Sequence, residues 1–197
     1  MILNNMLAGK KVILASKSPR RQQLLQELGI PFTVYSKEVD ERFPATLKRQ
    51  DAALYLAKKK SDAFGESVGP DQLIITADTI VCLGEHILNK PENYDDACRM
   101  LRMLSGNKHE VITGVCIRTS DKQICFHEMT EVYFKKLSDE EIAYYLKMYQ
   151  PYDKAGAYGV QEWIGLMGLE RINGSYHNVM GLPVQALYQK LTEIISD

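Results

Sequence analysis

Short apolar runs alternate along the chain with stretches whose apolar residues recur at helical spacing, and each change of period marks an element boundary. Lys10-Lys11-Val12-Ile13-Leu14 reads as a strand, and residues 19–28 read as a helix that starts at Pro19 and is stopped by Gly29. A short strand at 32–35 and a helix over 51–64 follow, with Leu54, Ala57 and Ser61 sharing a face and Lys58, Lys59 and Lys60 pointing in different directions. Residues 73–77 predict a buried strand that gives way to a polar turn at Asp78, and residues 80–83 and 87–88 a hairpin through Gly84-Glu85. A helix over 94–104 closes at Gly106, and strands at 109–118 and 123–134 pair across Ser120-Asp121-Lys122. A helix over 139–149 carries Ser138 and Glu141 at capping-box spacing and ends before Pro151. The glycine-rich segment 153–181 is too regular in apolar content for disorder and is expected to fold back over the site, and an amphipathic helix over 183–195 completes the chain.

This alternation predicts a layered α/β architecture. With no internal repeat, linker or low-complexity segment, residues 1–197 are expected to form a single domain. A formal net charge of -1 argues against a protein that coats nucleic acid, which needs a broad basic surface. No apolar run approaches bilayer length, so no membrane partner is expected. Cys82, Cys98, Cys116 and Cys125 show no CxxC spacing and no secretory leader precedes them, which predicts reduced thiols, no disulfide and a cytoplasmic location. Cys125 and His127 lack a second ligand pair for zinc, so core packing is expected for the cysteine and a surface position for the histidine. His86, His109 and His177 are equally isolated.

The heptapeptide Ala15-Ser16-Lys17-Ser18-Pro19-Arg20-Arg21 joins the first strand to the first helix. Ser18 is placed as the N-cap and Pro19 as the first helical residue, so free N–H groups and the positive helix end face an anion. Arg20 and Arg21 oppose the dipole of that helix start, which favours a phosphate ligand over a capped surface helix. Further polar groups stand near element ends: Glu41 with Asp40 beside it, Lys60, Asp78 with Thr79, and Lys90. Such residues gather at strand ends in α/β folds. Cations alone would suit phosphate and carboxylates alone a metal; the mixture suits hydrolysis of a nucleoside polyphosphate carried with a divalent ion. Asp78 is the candidate general base, Glu41 a metal ligand, and Lys60 and Lys90 phosphate partners. An isolated Asp after a strand usually caps a turn, and an acidic loop or helix lysine is usually only solvated; the grouping is what favours chemistry. GxxxxGK[ST] and GxGxxG are both absent, which argues against P-loop and Rossmann chemistry.

The heptapeptide, Ala77-Asp78-Thr79, Asn89-Lys90-Pro91, Ser105-Gly106-Asn107-Lys108-His109, Thr113-Gly114-Val115, the run from Asp153 to Gln161 and the run from Ile172 to Pro183 together resemble the ordered motif set of the Maf nucleoside triphosphate pyrophosphatases. The resemblance covers nearly the whole chain. It implies a mixed, twisted central sheet flanked by helices, of the ITPase-like kind, and cleavage of a nucleoside triphosphate to monophosphate and pyrophosphate with Mg²⁺ or Mn²⁺. Carried over by position, it implies Asp78 as proton acceptor, Glu41 and Asp78 at the metal, and Ser16, Arg21, Lys60 and Lys90 at the triphosphate. Arg20, Thr79 and Gln161 match the branch acting on dTTP and UTP; the branch preferring 7-methyl-GTP has an aromatic residue in place of Arg20. A glutamine offers both a donor and an acceptor to the imide edge of thymine or uracil. Glu162-Trp163 follows Gln161 where many relatives have Gly. The resemblance is compatible with a homodimer. Two other readings remain open: a non-catalytic nucleotide-binding regulator of septum formation, and a phosphatase that removes the terminal phosphate.

Overall fold

The computed structural model describes residues 7–196. In chain order the elements are β1 (Lys11–Leu14), α1 (Pro19–Glu27), β2 (Phe32–Val34), α2 (Arg49–Asp62), β3 (Gln72–Leu83), β4 (His86–Leu88), α3 (Tyr94–Leu104), β5 (Lys108–Arg118), β6 (Gln123–Phe134), α4 (Asp139–Tyr149), α5 (Trp163–Gly168), β7 (Leu169–Asn173), α6 (Tyr176–Met180) and α7 (Val184–Ser196). The strands form a seven-stranded mixed sheet in the order β2-β1-β3-β5-β6-β7, with β4 paired to β3. β2 and β3 run parallel to β1, whereas β4 on β3 and β7 on β6 are antiparallel.

The described chain forms two compact units, one of residues up to 78 with 113–128 and 181 onward, the other of residues 79–112 and 129–180. In the first, Leu14, Leu25, Ile75 and Val115 are fully buried with Ala53 and Ala57 of α2. The buried face of α2 is Ala52, Ala53, Leu56, Ala57 and Ser61, while Leu54, expected to share a face with Ala57 and Ser61, is half-buried. The small residues win because Gly114 of β5 runs against them: a Cβ at Gly114 would lie 2.4 Å from the carbonyl oxygen of Ala53. In the second unit, α3 is capped by Asn93, whose side chain accepts from the Asp96 N–H, and buries Ala97, Cys98, Met100, Leu101 and Leu104. The Ser138–Glu141 capping box of α4 forms as the spacing predicts.

Two expectations need correction. β3 does not turn at Asp78 but continues as one strand to Leu83, because the polar side chains on that face find partners on α2. Segment 153–181 is ordered, as its apolar content predicts: a single turn of 3-10 helix at Ala155–Ala157, then α5, β7 and α6. Cys116 and Cys125 are joined in a disulfide, and Cys125 is exposed rather than in the core. The two cysteines sit at equal offsets from a turn closed by Thr119 N–H donating to Lys122 C=O at 2.9 Å, so β5 and β6 place them face to face. Cys82 and Cys98 are buried and take part in no disulfide. Among the described residues, no helix is long and apolar enough to cross a membrane.

Candidate functional site

Five of the residues singled out in the sequence meet in the first unit. β1 delivers the buried Ser16, whose hydroxyl accepts from the Ser18 N–H at 3.2 Å. Ser18 itself makes no side-chain cap, contrary to the expectation for it; the hydroxyl that serves the loop is that of Ser16. Arg21, in the first turn of α1, donates from Nε to Gly181 C=O at 2.7 Å and from Nη1 to Ala77 C=O at 3.0 Å and Ser16 Oγ at 3.3 Å. Two backbone carbonyls thus fix the guanidinium plane beside the strand residue that precedes Asp78. Burial pushes the Arg21 guanidinium below its ordinary range; Asp78 and Glu41 oppose that shift and Arg20 adds to it.

Lys60 reaches the same place by register. Thr76 and Asp78 lie two apart on β3 and share a face. Thr76 Oγ1 donates to Ala57 C=O at 2.8 Å, and Lys60 lies three residues beyond Ala57 on the same side of α2. The lysine ammonium is therefore delivered to Asp78, with which it forms an ion pair, and it also meets Glu41 at 2.8 Å. Lys58 instead pairs with Asp62, and Lys59 donates to Arg42 C=O at 3.1 Å, which ties the acidic loop to α2. Asp40 is turned away to Arg42, so Glu41 is the carboxylate of that loop that faces the lysine.

Thr79, Lys90 and Gln161 belong to the second unit. Thr79 is half-buried on β3 directly after Asp78, and Lys90 is exposed just beyond β4. The carbonyl before it, Asn89 C=O, accepts from Gly156 N–H at 3.1 Å, which joins the strand end to the loop that leads to Gln161. The side-chain oxygen of Gln161 is buried and has no hydrogen-bond partner among the described residues.

A family model described as Maf-like protein matches residues 11–194. The chain belongs to the Maf family. Maf relatives extend over almost its full length. A dTTP/UTP pyrophosphatase of Phocaeicola vulgatus is 54% identical over 185 residues, 93% of this chain and 96% of that one. Proteins of the same name from Parabacteroides distasonis and Flavobacterium psychrophilum are 52% and 49% identical, over 92% and 95% of this chain and 94% and 96% of theirs. A solved structure of the Staphylococcus aureus Ham1 protein overlaps 64% of this chain and 72% of that one, with a TM-score of 0.44 and 13% identity.

Sequence reasoning missed several groups around these Maf motifs. Thr76, which sets the register of Lys60, was legible as the residue two before Asp78 on a strand. His109, read as isolated, is buried with its Nε2 2.7 Å from Tyr158 Oη, and both rings pack edge-on against Phe134. Burial lowers the His109 imidazole to about 3, so it is neutral in the folded protein. Tyr145 and Lys154, which brace Glu162 and the loop around Gln161, were given no role from the sequence, and Glu162 stood out only as a departure from the family resemblance.

Proposed function

We propose that this Maf protein is a nucleoside triphosphate pyrophosphatase that hydrolyses dTTP and UTP to the monophosphate and pyrophosphate. The observation that carries the reading is the Glu41–Lys60–Asp78 cluster beside the clamped guanidinium of Arg21, in a chain about half identical to proteins of that name. Asp78 accepts the proton of the water that attacks the α phosphorus, and its carboxylate is held for that task by Lys60. Ser16, Arg21, Lys60 and Lys90 bind phosphate oxygens, and positioning with charge stabilisation supplies most of the rate. Lys60 also offsets two carboxylates that would otherwise repel a polyanion.

Two carboxylates that share one ammonium form a donor set that also fits a divalent cation. Mg²⁺ takes one or two carboxylates and completes its shell with phosphate oxygens and water. No group of three or more His, Cys, Asp or Glu side chains that could hold a metal ion occurs among the described residues. Glu41 and Asp78 are the proposed ligands of Mg²⁺ or Mn²⁺. When bound, the ion neutralises phosphate charge as a Lewis acid. Arg20, Thr79 and Gln161 form the proposed selectivity set, and the unpartnered Gln161 oxygen matches the imide N–H of thymine or uracil.

Hydrolysis of dTTP in ¹⁸O-water tests the reaction. Attack at the α phosphorus places the label in the monophosphate and leaves pyrophosphate unlabelled. Label in inorganic phosphate would establish a terminal phosphatase, and binding of dTTP without product would establish a regulator.

A further inference from the structure

We propose that Glu162, held by Tyr145 and Lys154, is a positioning residue for base selection, acting through Gln161. The inference rests on the reading of Gln161 as the residue that meets the base. The structure gives Glu162 more work than a surface carboxylate. One of its oxygens lies 3.1 Å from Lys154 Nζ, in a pair whose side chains are only 17% and 10% exposed. The other accepts from Tyr145 Oη, which is fully buried and in turn accepts from the Gly159 N–H at 3.0 Å.

A nearly buried ion pair is weak evidence of a stability device, because desolvation offsets most of its attraction and an apolar pair of equal volume serves as well. What this pair does is fix the backbone on both sides of Gln161. Gly159 is needed for it: a Cβ there would stand 2.7 Å from the carboxylate carbon of Glu162. Glu162 N–H donates to Gly159 C=O at 3.0 Å, and Gly165 N–H donates to Glu162 C=O at 2.9 Å. Gly165 has no room for a side chain, since its Cβ would lie 1.8 Å from Val160 C=O. Residues 159 and 162 are thus held from several directions, which fixes the backbone from which the Gln161 side chain projects.

Pyrimidine chemistry gives that rigidity a purpose. Uracil and thymine present an N–H at ring position 3, whereas cytosine presents a bare acceptor there. A glutamine amide that turns over by half a revolution satisfies either, because it carries a donor and an acceptor on one carbon. Discrimination therefore requires an amide held with its oxygen toward the base, and the buried, unpartnered oxygen of Gln161 is such an acceptor. A site that leaves a polar group unpaired with the wrong ligand discriminates far better than one that relies on shape.

The test compares steady-state hydrolysis of UTP and CTP by the wild type, Glu162→Gln, Tyr145→Phe and Gln161→Ala, with a melting curve for each. Glu162→Gln keeps the size and hydrogen bonding of the side chain but removes the charge held by Lys154. It is expected to lower the UTP-over-CTP ratio of kcat/KM about tenfold, the loss falling on KM more than on kcat. Tyr145→Phe, which frees Gly159 and Glu162 together, is expected to move the ratio the same way and serves if Glu162→Gln does not fold. A folded Glu162→Gln or Tyr145→Phe with the wild-type ratio, beside a Gln161→Ala that loses it, overturns the inference and spares the role of Gln161. An unchanged ratio in Gln161→Ala overturns both.

Discussion

Lys60 donates its ammonium to Asp78 and, in the same position, meets Glu41 at 2.8 Å. One cation thus holds together two carboxylates that come from a strand and from a loop far apart in sequence. Its own place follows from Thr76 and Ala57, whose hydrogen bond sets the register between β3 and α2. Of three consecutive lysines, only the one in that register serves; the neighbours are spent on Asp62 and on the backbone of Arg42.

Asp78→Asn keeps the size of the side chain and an oxygen for Lys60, so the variant is expected to fold. It cannot take a proton from water. Pyrophosphate release from dTTP should fall about 10²- to 10⁴-fold. Turnover close to wild type by a protein with a normal melting curve would remove Asp78 from the role of base.

The shared ammonium makes a prediction about metal. In nucleotide-free protein a divalent cation must compete with Lys60 for Glu41 and Asp78. Lys60→Gln removes the competing charge and is expected to bind Mn²⁺ about tenfold more tightly, as read by electron paramagnetic resonance of the free ion. The same variant should need more dTTP for half-maximal rate, since a phosphate partner is gone. Mn²⁺ affinity equal to or below wild type would show that the two carboxylates are not the metal ligands.

Gly114→Ala tests how the helix bearing Lys60 is seated. The added Cβ would fall 2.4 Å from Ala53 C=O and 2.8 Å from Leu54 N, both backbone atoms that cannot turn aside. Overpacking of this kind costs about 1–3 kcal/mol. The denaturant midpoint should drop accordingly, and activity should fall further than stability alone accounts for, because α2 sets the position of Lys60. A variant with unchanged midpoint would mean that α2 and β5 separate freely.

Most elements were legible because they rest on local rules. The helix over Tyr94–Leu104 combines an Asn cap with a sustained apolar stripe, and the Ser138–Glu141 box announces α4 in four residues. What could not be read depends on partners distant in the chain. Asp78 looked like a turn residue because nothing nearby shows that Lys60 will satisfy it within a strand. Leu54 was grouped with Ala57 and Ser61 for the same reason: it is the more apolar choice, and only the close pass of Gly114 selects the alanines. The disulfide was excluded by motif spacing, while the signal for it lay in equal offsets from a turn.

The candidate site divides in the same manner. Arg21 and Glu41 were named from residue chemistry, and the structure adds what aims them, the carbonyls of Ala77 and Gly181 for the arginine and the Lys59–Arg42 tie for the acidic loop. Backbone acceptors carry no residue type, so no sequence pattern announces them. Glu162 stood out only as a departure from the family, and its meaning came from the tyrosine and lysine that fold against it.

His109 ties stability to pH. Its ring is buried between Phe134 and Tyr158, Nδ1 has no partner among the described residues, and burial holds its titration at about 3. In the unfolded chain a histidine titrates near 6.5. Between these values the unfolded chain binds a proton that the native protein refuses, so the contribution of His109 is complete above about pH 6.5 and declines as pH falls, by about 1.4 kcal/mol per pH unit. Glu131, drawn down to about 2 by the hydrogen bond from Lys108 and those from Asn173 and Tyr133, affects only the more acidic range below its ordinary titration. His86, His127 and His177 are exposed and common to any variant at position 109. His109→Gln stays neutral and retains a partner for the Tyr158 hydroxyl. Urea denaturation at pH 7, 6 and 5 should show the wild type losing about 2 kcal/mol more than His109→Gln across that range. Parallel losses in the two proteins would mean that the native protein accepts the proton at His109, and that the imidazole is not sealed from water.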